Sequence, residues 1–214
     1  MTEPLPRLHR RLSVGPGAAA LVVADVATLG FITLGFEMVA SRILTPLFGN
    51  DIYTWATIIS IVVAGLMAGY FLGGIVADRF ASFAVAAIIK LAAAAYLLFI
   101  FAVADTGLEQ LANAIPGNTA ALFTSGLVVC FPPLLVLGMY APLSVRLLLR
   151  HAGDAGRISG GLFAISSLGN IVGTIVTTFL LIPTIGARAI TGGFAVFLVA
   201  SGLVSLAAWI AARE

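Results

Sequence analysis

Apolar residues run through this chain in long blocks with few interruptions, and the blocks define its elements. Six segments stand out, at 18–43, 53–77, 82–104, 119–149, 158–182 and 188–211. Each is near or above the roughly 20 apolar residues that a bilayer-crossing helix requires. Helices are the expected form, because an isolated span has to satisfy its own backbone hydrogen bonds in hydrocarbon. Transmembrane strands would appear as segments of about 10 residues with alternating polarity, a pattern this chain does not show. The fourth segment is too long for one straight crossing. It carries Pro132 and Pro133, which remove two amide donors and predict a kink there. Its end, from Pro142 to Arg150, is expected to leave the membrane. Small residues recur four apart, at Gly65, Gly69 and Gly73 in the second segment and at Gly169, Gly173 and Thr177 in the fifth. Such ridges let helix backbones approach closely. Packing within the chain is favoured over a dimer seam.

A basic tail, residues 1–17 with Arg7, Arg10 and Arg11, precedes the first segment, and residues 212–214 follow the last. The tail and the apolar region after it have the order of a secretory signal. The apolar region is longer than the 7–15 residues of a signal core, so it reads as a retained first span. The membrane domain is therefore expected over 18–211.

Composition agrees. Hydrophobic residues make up 61% of the chain and charged residues only 9%, against about 25% charged in soluble domains. The mean hydropathy is +1.14. The single cysteine, Cys130, excludes a disulfide framework. The two histidines, His9 and His151, lie among arginines outside the apolar segments, so no metal site is expected. No glycine-rich phosphate loop follows a strand, so neither a cofactor nor a nucleic-acid partner is expected. With the N-terminus inside, the cytoplasmic side carries Arg7, Arg10, Arg11, Arg79, Arg146, Arg150, Arg157 and Arg213, and the outside only Arg188. The positive-inside rule then predicts a multi-pass protein of the inner (plasma) membrane with both termini cytoplasmic. Asp51, Asp105 and Glu109 fall in the outer loops. Tyr53 and Trp55 suit the aromatic belt at the interface.

Four charges fall inside apolar segments: Asp25, Glu37, Arg42 and Lys90. A charge in a bilayer is costly and is as a rule paired, buried in protein or functional. Asp25 and Lys90 lie roughly 10 Å and 12 Å in from the cytoplasmic starts of their segments, at 1.5 Å per residue. At that common depth they could pair across the bundle; the favoured reading is structural, as an ion pair or with Lys90 snorkelling along its stem. Glu37 and Arg42 differ by about 140° around the helix and so do not pair as an i,i+4 couple would. Glu37 shares a face with Thr33 and Ser41. Two readings stand for it: one structural hydrogen bond inside the bundle, or a cation- or proton-binding carboxylate facing a polar cavity. Arg42 is read as snorkelling to the outer headgroups. Asn170, Thr174, Thr177 and Thr178 could line a polar path, although hydroxyls in spans often bond their own backbone.

Between the second and third segments, Gly73-Gly74-Ile75-Val76-Ala77-Asp78-Arg79-Phe80 resembles the signature loop of the major facilitator superfamily, Gly-x-x-x-Asp-Arg. That resemblance implies a gating role for Gly74, Asp78 and Arg79. Ala81-Ser82-Phe83 depart from the glycine and basic pair that follow in the superfamily. The alternative is a helix-end turn with a local Asp78–Arg79 contact.

A longer resemblance runs over most of residues 30–186. Gly35-Phe36-Glu37-Met38-Val39-Ala40-Ser41-Arg42 through Trp55, Ala64-Gly65-Leu66-Met67-Ala68-Gly69-Tyr70, and Gly160-Gly161-Leu162-Phe163 through Gly173-Thr174 carry it. It is to the membrane half of fused spermidine-synthase-like proteins, which join a facilitator-like half to a cytoplasmic aminopropyltransferase-like domain. That second domain has no counterpart within these 214 residues, so the resemblance is expected to bring no aminopropyl transfer with it.

The expectation is an all-α, polytopic protein with six transmembrane helices in a half-facilitator-like bundle. As a transporter it would handle a small cation such as a polyamine. Glu37 and Asp25 would be its anionic anchors and Asn170 and Thr174 polar lining. Arg42, Lys90, Asp78 and Arg79 would be structural or gating charges. The alternative is a non-transporting scaffold that recruits a soluble aminopropyltransferase-like partner. A homodimer would supply the two halves a full facilitator has. An enzyme is the least supported class, since no nucleophile–base pair or metal set is visible.

Overall fold

The computed structural model describes residues 15–104, 106–149 and 151–212. The arginines of the tail, Arg150 and Arg213 lie outside the described residues, as does Asp105. What is described is helical almost throughout, and no strand occurs among the described residues. The helices are α1 (Pro16–Phe48), α2 (Ile52–Phe80), α3 (Phe83–Val103), α4 (Thr106–Ala114), α5 (Asn118–Gly138), α6 (Tyr140–Leu148), α7 (Ala155–Val176) and α8 (Ile182–Ala211). A 3₁₀ turn, Ala152–Asp154, precedes α7, and a π-helical turn, Thr177–Leu181, joins α7 to α8.

Five helical stretches are long and apolar enough to cross a membrane, and the chain is a multi-pass membrane protein. The last, Ala155–Ala211, has 57 residues, far more than one bilayer takes. Inside it Gly186 has φ 79° and ψ 157°, a conformation that only glycine adopts without strain. The helix direction is broken there. Large apolar side chains such as Met67, Phe71, Phe179, Val196 and Leu203 remain exposed on the outer surface of the bundle. That is the surface a bilayer would cover.

The pairing of helices follows the glycine ridges. α1 packs mainly on α7, α2 on α5 and α3 on α8. Gly69 faces the Leu135 carbonyl and Gly73 faces Met139 so closely that a Cβ has no room at either. Gly169 meets Ala27, and Gly173 meets Phe31, in the same way. Both ridges therefore serve packing within the chain.

In the long fourth segment Pro132 and Pro133 lie inside α5, and α6 follows through Met139, whose backbone is helical (φ −59°, ψ −22°) and whose amide still donates to the Leu135 carbonyl. Pro132 cannot donate to the Val128 carbonyl one turn back, and the Tyr96 hydroxyl donates to that oxygen instead, at 2.7 Å. Pro142 likewise cannot serve the Gly138 carbonyl, and α5 ends at Gly138. α6 then packs into the bundle, with Leu143 fully buried. Two loops are set by side-chain caps. Asp51 accepts from the Thr54 amide at 2.8 Å, which holds its carboxyl below the usual carboxylate range. Ser82 accepts from the Val85 amide at 3.3 Å. α4 occupies what the apolar pattern leaves as a loop, with Leu108 buried beneath it.

Candidate functional site

Two polar features interrupt the apolar core, and they differ in how they are satisfied. The first joins four helices. Lys90 of α3, fully buried, donates to Asp25 Oδ2 of α1 at 2.6 Å, to Ser205 Oγ of α8 at 2.6 Å and to Ser201 Oγ at 3.0 Å. An ammonium has three protons, and all three are used. Asp25 also accepts from the Tyr140 hydroxyl of α6 at 2.9 Å and, on Oδ1, from Ser201 at 2.7 Å. The Tyr140 ring lies 5.6 Å from the Lys90 nitrogen. Burial of an ion pair is tolerated when the remaining lone pairs and protons are also satisfied, as they are here.

The second feature is Glu37. It is 9% exposed, in the middle of α1, and has no hydrogen bond or ion pair among the described residues. Elsewhere in the interior Thr54, Ser125, Thr177 and Thr178 hold hydroxyls without partners, and Asn170 an unpartnered amide oxygen.

A cavity of about 60 Å³ lies between α1, α2, α5, α6 and α7. Thr33, Tyr70, Tyr140, Ser144, Ser166 and Asn170 supply its polar lining. On α1 it is walled by Val26, Gly30 and Thr33, a stripe at helical spacing whose next member is Glu37, about 6 Å farther along the axis. The volume suits a few water molecules. Tyr140 joins the ion-pair network to the cavity, lining the cavity while its hydroxyl holds Asp25.

The structure brings together Asp25 with Lys90, and Asn170 with the cavity below Glu37. It does not bring Glu37 to either. Thr174 returns its hydroxyl to the Asn170 carbonyl at 2.9 Å, so its donor is spent on its own helix. Arg42 is exposed near the C-terminal end of α1. Asp78 and Arg79 are both exposed at the end of α2, with no ion pair between them. The Ala81-Ser82-Phe83 departure is the start of α3, capped by Ser82. Sequence reasoning missed Tyr140, Ser201 and Ser205. The two serines, four apart in the last segment and about as far from its end as Asp25 is from the start of the first, were a readable signal.

Compared with family models, with curated proteins and with solved structures, the chain matches none.

Proposed function

We propose that this chain is a membrane module that handles a proton or a small cation at Glu37. The observation that carries the reading is the contrast between the two intramembrane acids. Asp25 is neutralised by Lys90, whereas Glu37 is buried with no hydrogen bond or ion pair among the described residues. A carboxylate left alone in an apolar interior is costly in its charged form, and a proton or cation joining it removes that cost. The cavity ending one turn below Glu37 supports access from the side of the bundle that holds the α1 N-terminus.

We count six crossings, taking Gly186 as the turn between the last two. The arginine distribution supports cytoplasmic termini in an inner (plasma) membrane. The resemblance to spermidine-synthase-like proteins makes a polyamine the candidate organic cation. A cavity sized for a few waters means that the helices must separate to admit one. Gly74, Asp78 and Arg79 would then mark the end where they move. A second copy of the chain would wall the cavity on its open side, between α2 and α7.

The second reading, a scaffold for a soluble aminopropyltransferase-like protein, is favoured by one observation. The saturated Asp25–Lys90 network ties α1, α3, α6 and α8 together, as a static bundle requires. Flux into liposomes separates the two readings. Under the transport reading, wild-type protein carries protons or a polyamine, and Glu37→Gln falls to the leak of protein-free vesicles while folding intact. Under the scaffold reading, wild type carries neither, and a synthase-like partner binds both forms equally. An unfolded Glu37→Gln together with a flux-silent wild type would mark Glu37 as structural.

A further inference from the structure

On the side of α1 away from Glu37 lies a second, larger cavity of about 610 Å³ between α1, α7 and α8. Its walls are almost wholly apolar: Phe31, Val172, Leu181, Ile185, Phe194 and Phe197 contribute most of the shape. Val172, Ile185 and Phe197 are at least two-fifths exposed, so the groove is open along the outside of the bundle. Gly193 lines it with nothing within 4 Å of where a Cβ would stand.

The register of α1 on α7 locates one end of this groove. Gly169 sits against Ala27, Gly173 against Phe31 and Thr177 against Gly35, a constant offset over two turns. Past Thr177 the wall facing α1 passes through the π-helical turn, and Leu181 and Ile185 continue the groove beyond that point. Arg42 follows Thr28, Phe31 and Gly35 on one stripe of α1, since steps of three and four residues keep one face. It is exposed and makes no hydrogen bond or ion pair with any described residue. From Arg42 down to Ile32, the nearest groove residue on α1, is ten residues, or about 15 Å. That is the depth of one leaflet of a hydrocarbon core roughly 30 Å thick.

We propose that this groove is a binding site for a phospholipid of the leaflet at the C-terminal end of α1. One acyl chain lies between α1, α7 and α8, and the phosphate sits on the Arg42 guanidinium. Arginine suits a phosphate because its planar donors can engage two oxygens at once. The apolar walls match the chain, and the unpaired charge stands on the same face of α1, about 15 Å beyond the nearest groove residue on that helix. The inference is independent of the reading of Glu37, which lies on another face of α1.

The test uses the full chain in detergent, with lipid retention read by native mass spectrometry. Dioleoyl phosphatidylglycerol is the probe and dioleoylglycerol, which lacks the phosphate, the comparison. Wild type is expected to retain one phosphatidylglycerol at least tenfold more strongly than the diacylglycerol. Gly193→Leu, which puts a side chain into open groove, should weaken phosphatidylglycerol retention about tenfold. Arg42→Gln, at an exposed position, should abolish the preference between the two lipids. Equal retention of both lipids by wild type, or retention unchanged in Arg42→Gln, overturns the proposal. So does a wild-type dimer that Gly193→Leu converts to monomer with lipid retention unaltered, since a second copy then fills the groove.

Discussion

Lys90 is a fully enclosed cation whose three protons all have acceptors, and its surroundings make a sharp prediction. Removing one member of a buried ion pair strands the other, at a cost of about 3–5 kcal/mol, whereas removing both can be nearly neutral. Lys90→Met should therefore lower the thermal unfolding temperature in detergent markedly. Asp25→Asn combined with Lys90→Met should recover part of the loss. Strictly additive losses would show that the two residues are not coupled. The depth match of Asp25 and Lys90 was readable from residue counts alone. Their completion by Tyr140, Ser201 and Ser205 was not, because which face each helix turns inward depends on neighbours far away in sequence. Glu37 is the opposite case. Its burial was legible from its place in the first apolar segment, but its lack of a partner emerges only when every facing helix is in position.

At the scale of the element, prolines in the fourth segment free backbone carbonyls, and a distant side chain satisfies one of them. Pro132 leaves the Val128 carbonyl without its helical donor, and Tyr96 supplies one from α3. Leaving that buried acceptor unpaired costs about 1–3 kcal/mol. Tyr96→Phe, which keeps the ring and its packing beside Phe99, is expected to destabilise by that amount in a denaturation titration in mixed micelles. A loss below about 0.5 kcal/mol, the range of ordinary surface changes, would mean that the carbonyl is served in another way. Helix existence was legible here because apolar length is a local property. The bond from Tyr96 to the Val128 carbonyl was not, since it joins α3 to α5 across a separation of 32 residues.

For the whole molecule the open quantity is the path of the chain across the bilayer. Single cysteines at Asn50, Asn113, Gly153 and Ala189, all exposed positions, test it against a membrane-impermeant thiol reagent. The native Cys130 is buried and contributes little background. Asn50, Asn113 and Ala189 should label from outside the cell and Gly153 only after permeabilisation. Labelling of Gly153 from outside reverses the orientation argued from the arginines. Protection of Ala189 alone removes the turn at Gly186 and with it the sixth crossing.

Hydropathy by itself determined that the chain is helical and lives in a membrane. Satisfying the backbone in hydrocarbon leaves long apolar segments little other choice. Residue counts also determined depth, because each helical residue advances the chain by a constant rise. What they left open is rotation about each helix axis. A helix that is apolar on all sides carries no stripe to say which face turns inward. Only the tertiary packing decided that Asp25 meets Lys90 while Glu37 meets no partner among the described residues. The same packing, through glycines that let α1 and α7 touch along one line, opened a groove beside Phe31.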